Sequence, residues 1–134
     1  MSNPVSRFFR SRAFRHSVAV WATLLLLGVI FVLTMIPLPQ LPPAAGGDKL
    51  HHFIAFAAVA FPCALLYPHA LVWTVPVIVA EAGLIEIIQP LVNRHRELND
   101  FIADVIGIGI GIALGLTLRW VLKSRSRRRE TQTG

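Results

Sequence analysis

Apolar residues in this chain come in long unbroken runs, not in the two-residue alternation of a strand or the one-sided stripe of a soluble helix. The first run, Val18 to Ile36, has about the length needed to cross a bilayer core, roughly 20 residues of helix. It exceeds a secretory h-region of about 7–15 residues, and further apolar runs follow, so it is expected to be retained as a span. Pro37, Pro39, Pro42, Pro43 and Gly46-Gly47 then predict a stiff, non-helical connector. A second run extends from Lys49 to Tyr67 with Pro62 inside it, an expected kink that a packed membrane helix tolerates. Tyr67-Pro68-His69 predicts a tight turn, and the third run, Leu71 to Gln89, carries Pro76 near its start. After the charged loop Arg94-His95-Arg96-Glu97, a fourth run spans Asp100 to Leu122. The pattern predicts an all-α integral membrane four-helix bundle in three parts. These are a basic N-terminal tail over 1–17, a four-span domain over 18–122, and a basic, disordered tail over 123–134.

Composition agrees with that class: 54% of residues are apolar and the mean hydropathy is +0.62. The net charge of +6 changes the picture only through its placement. Basic residues flank the spans, as in cytoplasmic loops, so no nucleic-acid partner is expected. Only Lys49, Arg94 and Arg96 fall on the face away from the termini; every other Lys and Arg lies in or beside the tails. The positive-inside rule therefore places both termini in the cytoplasm. Trp21, Tyr67, Trp73 and Trp120 fall at the cytoplasmic ends of their spans, as an interfacial aromatic belt does. Cys63 is the single cysteine, which excludes a disulfide within the chain and a cysteine metal site; a small buried hydrophobe is expected there.

That topology gathers Asp48, Lys49, His51, His52, Glu86, Gln89, Arg94, Arg96, Asp100 and Asp104 in one outer layer. Charges at such depths are costly, which makes each a functional candidate with a partner to name. On the fourth helix Asp100, Asp104, Gly107, Gly111 and Gly115 follow at spacings of four, three, four and four, forming one stripe. Its glycines make a small-xxx-small surface for close helix packing, within the chain or with a partner. Asp104 lies about 6 Å deeper than Asp100 at a rise of about 1.5 Å per residue.

Asp48 and Asp100 suit helix N-terminal caps. Glu86, near the C-terminal end of the third helix, faces an unfavourable dipole and needs a cation or a proton, with Lys49, His52 and Arg94 as available partners. Of the adjacent His51 and His52, which point in different directions, His52 is favoured for the inward face, four residues after Asp48 and four before Phe56. His52, Glu86, Asp100 and Asp104 match zinc or manganese by ligand type. No metal-binding spacing signature accompanies them, so no metal or cofactor is expected. Glu81, in mid-span, is either a hydrogen-bonded packing residue or a proton relay. His69, His95 and Glu97 are expected to be solvated or interfacial without function. The terminal Arg clusters set topology first and touch anionic headgroups second.

Three blocks, Asp48-Lys49-x-x-His52-Phe53-x-x-Phe56, Glu86-x-x-Gln89 and Arg94-x5-Asp100-x3-Asp104-x-x-Gly107, resemble the VanZ-like membrane proteins. The resemblance covers about residues 18–118, in order and in the corresponding spans. Spacing to Asp100 favours Arg94 over Arg96 as the family arginine, and Asp104 stands where the family commonly has an asparagine. The resemblance implies a multi-pass protein of the bacterial inner membrane and cell envelope. The family's founding member is associated with low-level teicoplanin resistance, a link that no residue pattern in this chain carries by itself.

Three functions compete. The leading one is a binding protein whose outer layer, Lys49, His52, Glu86, Gln89, Arg94, Asp100 and Asp104, recognises the polar or anionic headgroup of a membrane lipid or lipid-linked cell-wall precursor. The second is an enzyme on such a substrate, with Glu86 and His52 as acid and base. No serine occurs between Ser17 and Ser124, so water would be the nucleophile. The third is an assembly partner held by ion pairs, with Gly107, Gly111 and Gly115 contacting a second copy or another membrane protein. A channel or transporter is disfavoured by the small number of spans.

Overall fold

The computed structural model describes residues 11–36, 47–92 and 97–132, with side chains from 49 onward in the second stretch and up to 125 in the third. Four helices account for nearly all of it: α1 (Arg12–Met35), α2 (Gly47–Leu66), α3 (Leu71–Ile88) and α4 (Leu98–Gln132). Single 3₁₀ turns at Pro68–Ala70 and Gln89–Val92 flank α3. All four helices are long and apolar enough to cross a membrane, which makes this a multi-pass membrane protein. The Pro37–Pro43 connector, Gly46 and the Arg94–Arg96 loop lie outside the described residues.

Helix is enforced by the solvent as much as by propensity. The segment Leu71–Ile88 is rich in β-branched residues, which weaken helices in water. In hydrocarbon every backbone N–H and C=O must be satisfied within the segment, and a helix is how a single segment does it. For the same reason α2 and α3 run on through Pro62 and Pro76. At the start of α1 the Ser11 hydroxyl accepts from the N–H of Phe14 at 3.1 Å, so the helix opens at Arg12, earlier than the apolar run. Gly47, expected in the connector, is the first residue of α2.

The C-terminal tail differs from expectation more. Residues 123–132, predicted to be disordered, continue α4 as helix. Arg, Lys, Glu and Gln are strong helix formers, and no Gly or Pro interrupts them before Gly134. At about 1.5 Å per residue the 35-residue α4 is roughly 50 Å long, well beyond a hydrocarbon core of about 30 Å. The helix is therefore longer than a single membrane crossing requires.

The helices alternate in direction along the chain. The rings of His16 and Tyr67 stack with centroids 3.7 Å apart, joining the start of α1 to the end of α2. Nη1 of Arg119 donates to the carbonyls of Leu65 and Leu66 at 2.9 and 3.3 Å, bringing the late part of α4 to the same end and capping the C-terminus of α2. Both α1 and α4 thus have their terminal ends on one side of the bundle. In the middle, the Thr23 hydroxyl donates to the Val59 carbonyl at 3.2 Å and lies 3.4 Å from Sγ of Cys63. That thiol reaches the Ala19 carbonyl at 3.7 Å, so Cys63 is a buried packing residue with weak polar contacts.

The tightest contact is between α2 and α4. Gly107, Gly111 and Gly115 are buried and face α2. A Cβ on Gly107 would overlap the carbonyl oxygen of Phe53, and one on Gly111 that of Ala57; at Gly115 it would stand 2.6 Å from Cβ of Ala64. The glycine stripe is thus occupied by α2 within the chain. Around this seam pack Phe56, Val59, Ala60, Ile78, Ile85 and Ile108. The outer faces keep Leu25, Val72, Ile87, Ile106 and Leu114 exposed, along with Trp21, Trp73 and Trp120. Such continuous apolar surface is a liability in water and ordinary in lipid.

Because lipid supplies no hydrophobic drive between helices, stability of this seam depends on close packing. Gly111→Val is expected to destabilise the bundle by about 1–3 kcal/mol or more by overpacking. Gly109→Val, on a face with nothing within 4 Å of its Cβ position, is expected to change stability by less than about 0.5 kcal/mol. Unfolding in detergent micelles measures both; equal effects would mean that the seam is not what holds α2 to α4.

Candidate functional site

At the end of the bundle opposite the His16–Tyr67 stack, α2 and α4 begin and α3 ends. Each helix contributes polar side chains there that the apolar surroundings do not explain. His52, Glu86, Gln89, Asp100 and Asp104 are all 6% exposed or less. His52 faces inward and its neighbour His51 outward, the consequence of a turn of about 100° per residue.

The centre of the layer is a pair. Nδ1 of His52 lies 3.1 Å from Oδ1 of Asp104, a hydrogen bond whose direction follows the imidazole tautomer and the proton on the carboxyl. The glycine seam positions it, because Gly107 follows Asp104 by one turn and packs on Phe53, the residue after His52. Glu86 completes a trio: one donor atom each from His52, Glu86 and Asp104 lies within 4.8 Å of the others. Asp100, in the first turn of α4, is near enough for like-charge repulsion with Glu86 and Asp104. Glu86 Oε1 and Asp104 Oδ2 are buried with no hydrogen-bond partner among the described residues.

Glu86 finds a partner that was not among those expected. Its Oε2 accepts from the backbone N–H of Glu97 at 3.1 Å, at the residue preceding α4. The carboxylate sits at the unfavourable end of its own helix and at the favourable end of the next, where free N–H groups and the positive dipole end stabilise an anion. Asp100, expected as the N-cap, is instead the third residue of α4; it shares that positive end, and its N–H donates to the Glu97 carbonyl at 2.9 Å. Glu97, expected to be idle, thus contributes its main chain to the layer and its side chain to the rim. The legible signal was the small number of residues between Val92 and Glu97, which keeps the end of one helix close to the start of the next.

Lys49 departs from expectation. It is about half exposed and pairs with Glu97 at 3.3 Å, at the rim and outside the buried layer. A four-carbon stem with a strongly hydrated ammonium settles at the edge of such a site. Arg94 and Arg96 lie outside the described residues, as does the side chain of Asp48. Glu81 is not part of the layer. It lines an open groove between α1 and α3 with Leu27, Gly28, Phe31 and Leu84, and its Oε1 is buried with no partner among the described residues.

No protein-family model, curated protein or solved structure matches this chain.

The Glu86–Glu97 bond makes a specific prediction. Glu86→Gln keeps an acceptor for the Glu97 N–H, whereas Glu86→Leu removes it at a cost of about 0.5–2 kcal/mol, the range for loss of a helix cap. Hydrogen exchange at the first amides of α4 is expected to accelerate in Glu86→Leu and to stay near wild type in Glu86→Gln.

Proposed function

We propose that this is a small VanZ-like protein of the bacterial inner membrane, with both termini cytoplasmic, and that its buried polar layer faces the outer side and binds the headgroup of a lipid or lipid-linked cell-wall precursor. The observation that carries this reading is the convergence of His52, Glu86, Gln89, Asp100 and Asp104, from three helices, at one end of an otherwise apolar bundle. Polar groups at membrane depth are expensive, and a site for a polar ligand is a reason to keep them. The sidedness follows from the distribution of Lys and Arg, with the extended basic end of α4 suited to the anionic cytoplasmic leaflet.

The chemistry of the layer narrows the ligand. Its buried carboxylate oxygens are acceptors, suited to the hydroxyl, amide and amine donors of a glycan- or peptide-bearing headgroup. Lys49 at the rim, with Arg94 and Arg96 in the loop after α3, supplies positive charge for a phosphate. The three blocks that resemble those of VanZ-like proteins include Lys49 and Arg94, and that resemblance supports an envelope role.

A second reading has one observation in its favour. The His52–Asp104 pair beside Glu86 is the pattern of an oriented acid–base group, which would act on a lipid-linked substrate through water. Cys63, held between Thr23 and Ala19 in the middle of the bundle, is no nucleophile for it.

Wild type and Glu86→Gln, purified in mild detergent, are expected to melt at similar temperatures, while only the wild type retains a specific lipid or lipid-linked precursor detectable by mass spectrometry. Turnover of that precursor by the wild type would favour the enzyme. Loss of fold in Glu86→Gln, with no particular lipid retained by the wild type, would leave the layer a purely structural device and remove the binding function.

A further inference from the structure

We infer that His52, Glu86 and Asp104 form a site for a first-row divalent cation, of the zinc or manganese class. The donor set comes from three different helices and is brought together by the fold, which is why no spacing motif announces it. One donor atom from each residue lies within 4.8 Å of the other two, and the three residues are 6, 4 and 0% exposed. Zinc holds N and O ligands at about 2.0–2.2 Å, which places tetrahedral ligands about 3.3–3.6 Å apart. The 3.1 Å between His52 Nδ1 and Asp104 Oδ1 is already close to that spacing.

Independent of the cluster itself, two carboxylate oxygens on side chains more than nine-tenths buried, Glu86 Oε1 and Asp104 Oδ2, have no hydrogen-bond partner among the described residues. Buried polar atoms are nearly always satisfied, and an ion is a standard reason for the exceptions. The local charge points the same way. Glu86 and Asp104 offer carboxylate oxygens within 4.8 Å of each other, so a dication between them relieves a repulsion that is costly inside a membrane. Lys49 does not serve, since it is engaged with Glu97 at the rim. Imidazole with carboxylates suits zinc and manganese. Glu86 has the second contact expected of a metal-ligating carboxylate, its Oε2 being fixed by the Glu97 N–H. Three protein ligands also leave a coordination position open, the arrangement of a site that takes an exogenous ligand. The inference stands apart from the headgroup reading, because its test reads metal and not lipid.

The full chain, purified in detergent and stripped with chelator, is titrated with zinc alone and then with manganese alone, reading bound metal and melting temperature. About one ion per chain is expected for at least one metal, with a rise in melting temperature. Asp104→Asn and Glu86→Gln are each expected to weaken binding at least about tenfold. His51→Ala, which removes an exposed histidine, is expected to bind as wild type. Equal binding by Asp104→Asn, Glu86→Gln and wild type, or no saturable binding of either metal by the wild type, overturns the site. If both layer variants fail to fold, cobalt(II) decides it on the wild type. A visible absorption band that saturates at about one equivalent in wild type and His51→Ala alike supports the site, and its absence refutes it.

Discussion

The close approach of α4 to α2 is the contact on which the other features depend. Three glycines spaced four apart allow the backbone carbonyls of Phe53 and Ala57 to sit where side chains would otherwise stand. One turn beyond the seam on one side, His52 meets Asp104; at the other end, Arg119 reaches the last carbonyls of α2. In a solvent where apolar faces gain nothing by meeting, such backbone proximity does what hydrophobic burial does in water. The polar layer is therefore a consequence of the seam's register: a shift of one residue along α4 would turn Asp104 away from α2 together with the glycines.

The second organising feature is electrostatic. The end of α3 and the start of α4 have opposite partial charges, and the short loop between them sets those ends side by side. Glu86 exploits the pairing, an anion placed at the wrong end of its own helix and at the right end of the next. After that bond, Glu86 Oε1 and Asp104 Oδ2 remain buried with no hydrogen-bond partner among the described residues.

Much of this was legible in the chain. The four spans followed from run length, and the stripe Asp100, Asp104, Gly107, Gly111, Gly115 from a count of residues per turn; every member of it is buried. Choosing His52 over His51 needed only the same count. Other features depend on pairings that no single segment contains. Nothing local says that the glycines face α2 and not another chain, since both would use the same surface. The Glu97 N–H is a main-chain group that no side-chain motif encodes, and Lys49 could be assigned to Glu86 or to Glu97 only once the rim had a shape. The helical tail beyond Lys123 was missed because its charge pattern was weighed as disorder and its helix propensity was not.

We propose that His52 and Asp104 are held together for a ligand and not as the clamp that keeps the bundle folded. A buried polar pair kept for function is costly to break and cheap to replace whole. Unfolding free energies of Asp104→Leu, His52→Leu and the double variant test this most directly. Asp104→Leu alone is expected to cost about 1–3 kcal/mol, through loss of the buried hydrogen bond to His52 Nδ1. The double variant is expected to return to within about 1 kcal/mol of wild type, or above it. A double variant left about as unstable as Asp104→Leu alone would show instead that the pair is a structural clamp that stabilises the fold, and contradict the account.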